Sequence, residues 1–270
     1  ADQYRKIRNT FRYLLGALEG FSEAEKVTVA EMPELERYVL ALLAQLDGRL
    51  RQATLDYDFN TYTREIADFC NEDLSAFFFD IRKDSLYCDA PSDLKRRAYR
   101  TALDTLFHAL VRYAAPVLVF TAEEVWGTRY PDAGSVHLQE WPEISPHRRP
   151  ALDAGQGSSS SVSESQTPDQ VRGDELVERW KTIRIIRNGI NEAIEPLRRD
   201  KIIKSSLEAE VVLPMHLARD GQYEGIDWDE VCIAAKVELN APASEFNGPA
   251  AVTRTSQTSA ATGSPTDQPA

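Results

Sequence analysis

The side chains best suited to binding a charged ligand lie in the first turns of the chain. Residues three, four and seven positions apart share one face of a helix, and this spacing groups Arg5, Arg8, Asn9 and Arg12. Guanidinium groups donate paired hydrogen bonds to phosphate oxygens, amides form hydrogen bonds with base edges, and neighbouring tyrosine rings stack on unpaired bases. The pattern is typical of a contact with single-stranded RNA. The structural alternative is a polar face whose arginines pair with nearby acids.

Two further groups are candidates for the same contact. Arg82 and Tyr87 lie at or beyond the end of a predicted third helix, where the helix dipole by itself favours positive charge. Arg96, Arg97 and Arg100 lie in the first turns of a predicted fourth helix, where the dipole opposes positive charge. Helix stability therefore does not explain this second group, which makes it the better functional candidate.

No constellation for catalysis or metal binding is visible in the sequence. The chain lacks a phosphate-cradling glycine loop and a G-x-S-x-G motif, and its four histidines show no metal-ligand spacing. We interpret His108 as a structural histidine inside a helix. We interpret the acids around the third helix as a solvated face; they are Glu72, Asp73, Asp80 and Asp84.

Composition and cysteine content limit the cellular compartment and the classes of partner that suit the protein. Cys70, Cys88 and Cys232 are widely spaced and form no C-x-x-C pair, so we expect small buried hydrophobes in a reducing cytoplasm. A formal charge of −12, from 31 basic and 43 acidic residues, disfavours a non-specific nucleic-acid coat but allows a local basic face. No signal peptide or membrane-spanning run is present. Because the chain does not start with Met, we expect it to be part of a longer protein.

Amphipathic helices must position these side chains. Apolar residues recur at helical spacing in five stretches of the first half, which are residues 1–20, Pro33 to about Tyr57, Asn60–Lys83, Asp93–Tyr113 and a short helix around Val125–Trp126. We expect the last helix to begin after a capping box formed by Thr121 and Glu124. Helices with modest loops predict a bundle over residues 1–143.

The second half predicts a smaller unit behind a linker. Residues 144–172 are rich in Ser, Pro and Gly and predict a linker, and residues 241–270 predict a disordered tail. Between them, a helix over Asp174–Arg199 precedes three short strands, predicted at 209–213, 231–233 and 236–239. The fold class is therefore mainly α, with a helical bundle followed by a linker and a small α/β unit over residues 173–240.

Several runs resemble one known family. They are the Y-R-K-I-R-N-T run at 4–10, Y-D-F at 57–59, the L-S-A-F-F-F-D-I-R-K-D run at 74–84 with L-Y at 86–87, the A-P-V-L and F-T-A-E-E-V-W runs between 115 and 126, and K-S-S-L-E-A at 204–209. Together they are similar to the C-terminal anticodon-binding region of the isoleucyl-tRNA synthetases, which are class I enzymes. The resemblance extends from about Tyr4 to Leu239.

The resemblance implies a function for the chain and for a parent enzyme. The family joins isoleucine to its tRNA with ATP and Mg²⁺, through a catalytic core whose HIGH and KMSKS signatures are absent from this chain. We therefore expect the chain alone to be inactive and to hold no cofactor. The implied partners are the anticodon stem-loop of isoleucine tRNA and the rest of the parent synthetase, in a monomer without membrane contact. A Cys-rich module that ends many family members is absent after Ala241, so we expect no bound zinc.

Three alternatives stay open at this point. A valyl- or leucyl-tRNA synthetase fragment shares part of the motif set. A non-catalytic helical protein-interaction module suits the acidic charge and would expose a large apolar patch. A free-standing enzyme is the weakest alternative, because no nucleophile–base pair or metal site is visible.

Overall fold

Helices dominate the computed structural model, which describes residues 2–144, 168–214, 223–241 and 251–254. The chain forms two compact units, Ala1–Lys181 and Thr182–Ala270. Besides the first turns of a later helix, the described part of the first unit contains the α-helices α1 (Asp2–Ala17), α2 (Glu34–Leu55), α3 (Phe59–Asp68), α4 (Phe79–Cys88), α5 (Leu94–Ala114) and α6 (Val119–Arg129). A π-helical segment, Phe69–Phe78, joins α3 to α4 without a break. The predicted helical bundle is confirmed.

The first two helices begin and end where the sequence provides local signals. Pro33 is the residue before α2, as its lack of a backbone N–H suggests. Gly20 follows α1 with a φ of 66°, a left-handed conformation that glycine adopts at little cost. Tyr57 takes a similar φ of 56° just after α2, so that helix ends at Leu55 rather than continuing to Tyr57. A tyrosine in this conformation is uncommon.

The third helical stretch is longer than predicted and contains the π-segment. It runs from Phe59 to Cys88, although the apolar stripe alone predicts an end at Lys83. Within it, the carbonyl oxygen of Cys70 accepts hydrogen bonds from the hydroxyls of Thr10 at 3.4 Å and Ser75 at 2.8 Å. These hydroxyls satisfy a carbonyl in a stretch whose hydrogen-bond pattern departs from that of an α-helix. The apolar residues at helical spacing that predict this helix are all buried, and these are Tyr62, Ile66, Phe69, Cys70, Leu74, Phe77, Phe78 and Ile81.

The starts of α5 and α6 differ from their predictions. The side chain of Asp93 accepts hydrogen bonds from the backbone N–H groups of Lys95 and Arg96, so Asp93 caps α5, and the helix begins at Leu94 rather than at the predicted Asp93. Leu94 is expected to face inward because its spacing matches that of the apolar residues in this helix, but it is 48% exposed. The predicted capping box at α6 is wrong, because the helix already begins at Val119 and Thr121 lies inside it. Its hydroxyl contacts the side chain of Tyr4 instead.

Helix α7 (Pro168–Arg199) begins earlier than the predicted Asp174. Its first turns pack on α2 within the first unit, where Trp180 stacks on Tyr38 with ring centroids 5.2 Å apart. The indole Nε1 of Trp180 and the guanidinium of Arg179 both donate to Glu34, each at 2.8 Å. Most of the predicted linker, residues 145–167, lies outside the described residues.

The second unit contains the C-terminal part of α7, a short helix and a three-stranded sheet. β1 (Ala209–Pro214) and β2 (Lys236–Ala241) are confirmed and pair in parallel. Residues 231–233 form no strand, since Val231 and Cys232 end helix α8 (Trp228–Cys232), which Asp227 caps. β3 (Ala251–Arg254) pairs antiparallel with β1 inside the predicted disordered tail, so the sheet order is β2-β1-β3. The rest of that tail, residues 242–250 and 255–270, lies outside the described residues.

Candidate nucleic-acid interface

Helix α1 displays an exposed basic face. Its opposite side is buried through Ile7, Phe11 and Leu14, which fixes the face that points to solvent. Arg5, Asn9 and Arg12 are exposed and make no side-chain hydrogen bond or ion pair with any described residue. The positive end of the helix dipole lies at the same end of α1 as Arg5, so the dipole adds to its positive potential. These side chains are available to a ligand with phosphate and base groups.

Arg8 shares this face but is already engaged. Its guanidinium reaches both carboxylate oxygens of Glu124 on α6, at 3.2 and 3.3 Å, and donates to the hydroxyl of Tyr4 at 3.1 Å. The hydroxyl of Tyr4 lies 3.2 Å from that of Thr121. The hydrogen bond with Thr121, followed by the one from Arg8, lowers the pKa of Tyr4. Arg8 therefore joins α1 to α6 and is less available than its neighbours.

Tyr87 and Arg96 lie on α4 and α5, and both of these helices contact Tyr13 of α1. Helix α4 contacts α1 through Phe79, whose ring stacks on that of Tyr13 with centroids 4.2 Å apart, and Tyr87 lies in the last turn of α4. Burial raises the pKa of Tyr13 to about 12. Tyr87 itself is 74% exposed. Arg96 donates from Nε to the carbonyl oxygen of Leu86 at 3.0 Å, next to Tyr87 in the chain. We define the α1 strip by its five members, Arg5, Asn9, Arg12, Tyr87 and Arg96.

Arg82 lies in the interior of the bundle. Its side chain is 4% exposed and pairs with Glu36, which is fully buried, through bonds of 2.6 and 3.1 Å. A buried charge needs its partner, because separating the pair leaves the other charge without compensation. Because Arg82 is buried, an RNA phosphate could reach it only if the surrounding side chains moved. The prediction that Arg82 contacts RNA therefore competes with a structural role, whereas Arg5, Asn9 and Arg12 are exposed.

Arg97 and Arg100 bind the turn that follows α1. Arg100 donates to the carbonyl oxygens of Ala17 at 3.2 Å and Glu19 at 2.6 Å, and pairs with the carboxylate of Glu25 at 2.5 Å. Arg97 donates from Nε to the carbonyl oxygen of Glu25 at 3.1 Å. Carbonyl groups at the end of a helix lack partners within the helix, and these arginines supply donors. The need for donors to these carbonyl groups explains why basic residues occupy the first turns of α5, where the helix dipole disfavours positive charge.

His108 and the acidic residues occupy structural positions. The Nε2 atom of His108 shares a hydrogen bond of 2.9 Å with the hydroxyl of Tyr130, and burial lowers the pKa of His108 to about 4. Asp80 pairs with Lys83 at 2.8 Å, as a solvated face predicts. The described residues contain no group of three or more His, Cys, Asp or Glu side chains that could hold a metal ion.

The cysteines are all free thiols. Cys70 and Cys232 are buried, as predicted, but Cys88 at the end of α4 is exposed, so that prediction is wrong for Cys88. Among the helices that the structure describes, none is long and apolar enough to cross a membrane.

Comparison with known proteins assigns the bundle to a family. A sequence model described as "Anticodon-binding domain of tRNA ligase" matches residues 36–213, from α2 to the end of β1. The chain belongs to this family. The first half of the α1 strip, on helix α1, precedes the matched residues, and its second half, at Tyr87 and Arg96, lies within them.

Relatives of this anticodon-binding domain are much longer than the chain. Isoleucine–tRNA ligase of Zymomonas mobilis is 54% identical over 244 residues, which cover 88% of this chain and 24% of that protein. The Gluconobacter oxydans and Agrobacterium fabrum proteins of the same name are 43% and 42% identical, each over 88% of this chain and 22% of their own length. The chain thus spans about a quarter of these relatives. Their names favour the isoleucyl branch over the valyl and leucyl alternatives.

Proposed function

We propose that the chain binds the anticodon stem and loop of isoleucine tRNA as the anticodon-binding part of an isoleucine–tRNA ligase. The observation that carries the proposal is the α1 strip, where Arg5, Asn9 and Arg12 are exposed on α1 and an exposed tyrosine ends α4, the helix that contacts α1 through Phe79. Arg5 and Arg12 would pair with phosphates and set the position of the RNA, while Asn9 and Tyr87 would bond to and stack on unpaired bases. Arg96 would add a third cation beside Tyr87.

The chemistry of ligation belongs to the rest of the proposed ligase. That part would join isoleucine to its tRNA with ATP and Mg²⁺, and this chain would hold the far end of the tRNA so that its acceptor end reaches the catalytic core. The chain itself would hold no cofactor and act as part of a monomer in the cytoplasm. Isoleucine-dependent pyrophosphate exchange by the purified chain would overturn this division of labour.

Binding to isolated stem-loops tests the proposal directly. Fluorescence anisotropy would compare a stem-loop carrying the isoleucine anticodon with one carrying a changed anticodon, at two salt concentrations. We expect tighter binding of the native anticodon and a marked weakening at high salt. Equal affinity for both stem-loops would remove anticodon recognition from the proposal, and no binding at low salt would remove RNA binding by the chain.

Substitutions on the α1 strip distinguish contacts with phosphates from contacts with bases. Arg5→Ala and Arg12→Ala should weaken both stem-loops alike and reduce the salt slope by about one unit or less each. Tyr87→Ala should cost ~1–3 kcal/mol of binding free energy, as expected for a lost base stack. Arg49→Ala is the matched control, because Arg49 is exposed but pairs with Glu65 on α3, away from the strip. Variants of the strip that bind like the control would contradict this assignment.

A further inference from the structure

An exposed apolar surface at the start of α6 takes no part in the α1 strip. Val119 is 46% exposed, Phe120 91% and Leu138 83%. His137 donates from Nε2 to the carbonyl oxygen of Val119 at 3.2 Å, which holds the loop after α6 against the start of that helix. We call Val119, Phe120, His137 and Leu138 the α6 face. Large apolar side chains grouped at a surface mark an interaction site more often than single ones do.

A groove lies next to the α6 face. The groove has a volume of about 260 Å³, and His137 lines it together with Arg112, Pro116 and Trp141. The Nε atom of Arg112 is buried and has no hydrogen-bond partner among the described residues. Burial also lowers the pKa of Arg112. The groove therefore adds a recess with a guanidinium in its wall to the apolar residues of the α6 face.

The charge around the α6 face favours a protein over RNA as its occupant. Three exposed glutamates lie on α6 or in the loop after it, and of these Glu124 is paired with Arg8, while Glu123 lies near His137 and Glu140 lines the groove. Negative charge repels a phosphate backbone, which supplies most of the affinity of nucleic-acid contacts. A protein segment with apolar side chains and a basic rim fits both the apolar centre and this acidic border.

The length of the relatives identifies a source for such a segment. The chain spans 22–24% of the isoleucine–tRNA ligases that it matches, so about three quarters of each relative lies outside it. We propose that the α6 face docks a segment from this remaining part of the ligase. The segment places an apolar side chain against Phe120 and Leu138. This inference rests on the proposed function, because it takes the chain to be part of such a ligase.

Photo-crosslinking in the full-length ligase tests the docking. The substitution is Phe120→p-benzoylphenylalanine, and the ligase is irradiated with and without tRNA before its crosslinked peptides are mapped by mass spectrometry. We expect an intramolecular crosslink to one segment outside this chain, in both conditions. The matched control is Leu55→p-benzoylphenylalanine, because Leu55 is 73% exposed at the end of α2 and is not part of the α6 face. The control should not crosslink to that segment.

Each other outcome overturns the docking. A crosslink to tRNA would make the α6 face an RNA contact, a crosslinked species of twice the mass would make it a contact between two copies, and no crosslink would leave it a solvated surface. A second variant, Phe120→Asp, should lower the kcat/KM of aminoacylation by roughly tenfold or more, since a displaced tRNA loses its alignment. Stem-loop affinity should stay unchanged in this variant. Loss of stem-loop binding in the unaltered protein would instead count against the proposed function.

Discussion

Substitutions in the buried pair of Arg82 and Glu36 can distinguish a role of Arg82 in stabilising the fold from a role in binding RNA. Arg82 is one of the residues whose type and position predict an RNA contact, yet its guanidinium is 4% exposed and is held by a carboxylate with no exposure at all. Two substitutions test which role it has. Arg82→Met removes the cation and keeps much of the side-chain volume, and Glu36→Leu does the same for the anion.

The expected magnitudes follow from the burial of both partners. Either single substitution leaves one charge buried without its partner, which costs ~3–5 kcal/mol of the free energy of unfolding. That is a large part of the ~5–15 kcal/mol that keeps a typical domain folded. The double variant contains neither charge, and apolar replacements of buried ion pairs are often neutral or stabilising. We therefore expect the double variant to recover most of the loss.

Urea unfolding and stem-loop binding provide the two measurements. Unfolding is followed by tryptophan fluorescence and extrapolated linearly to water for the four proteins of the cycle. The double variant should then bind the native stem-loop within about twofold of the unaltered chain, which is under ~0.5 kcal/mol. The reasoning is refuted if the double variant is no more stable than either single variant. It is also refuted if the double variant folds normally but loses RNA affinity, because Arg82 would then contact RNA.

Three further predictions concern other parts of the chain. Because burial lowers the pKa of His108 to about 4, below its unfolded value of ~6.5, its contribution to stability is present above pH ~6.5 and is lost as the pH falls towards 4. His108→Phe should remove ~2 kcal/mol of this pH-dependent stability, a value reduced to allow for the partial exposure of the ring. Urea unfolding at several pH values measures it, and a free energy of unfolding that varies with pH as it does in the unaltered chain would contradict the prediction. Burial raises the pKa of Cys70 and Cys232 to about 12, so a thiol reagent at neutral pH should label Cys88 alone in the native chain. Trp180→Ala should cost ~3–5 kcal/mol and Trp180→Phe clearly less, and equal losses in urea unfolding would contradict the stacking on Tyr38.

Helix positions and inward faces were predictable because they depend on local spacing. The stripe between Tyr62 and Ile81 is buried throughout, although the helix contains the π-segment. The same reasoning placed Arg5, Asn9 and Arg12 on the exposed face of α1, opposite Phe11 and Leu14. Where apolar residues recur at helical spacing, burial follows from the pattern alone.

Contacts between distant residues were not predictable in this way. Arg100 meets the end of α1, and Arg82 meets Glu36 on α2, and no local pattern identifies either partner. The same limit explains β3, because its pairing with β1 joins residues about forty positions apart. Helix α6 was misplaced because Thr121 and Glu124 match a capping box by type, while Tyr4 and Arg8 on α1 engage both side chains.

The π-segment between α3 and α4 has a consequence for the length of the chain. A π-helical turn holds more residues than an α-helical turn, so it changes the angular phase between the helices on either side. Deleting one residue from 69–78 removes the rotation of that residue about the helix axis, but closing the stretch up as α-helix adds rotation at each residue that stays, so the two changes oppose each other. The stack of Phe79 on Tyr13, with ring centroids 4.2 Å apart, should therefore suffer less from such a deletion than from the loss of one residue in the regular helix α3. The π-segment can absorb a change in chain length that a regular helix could not.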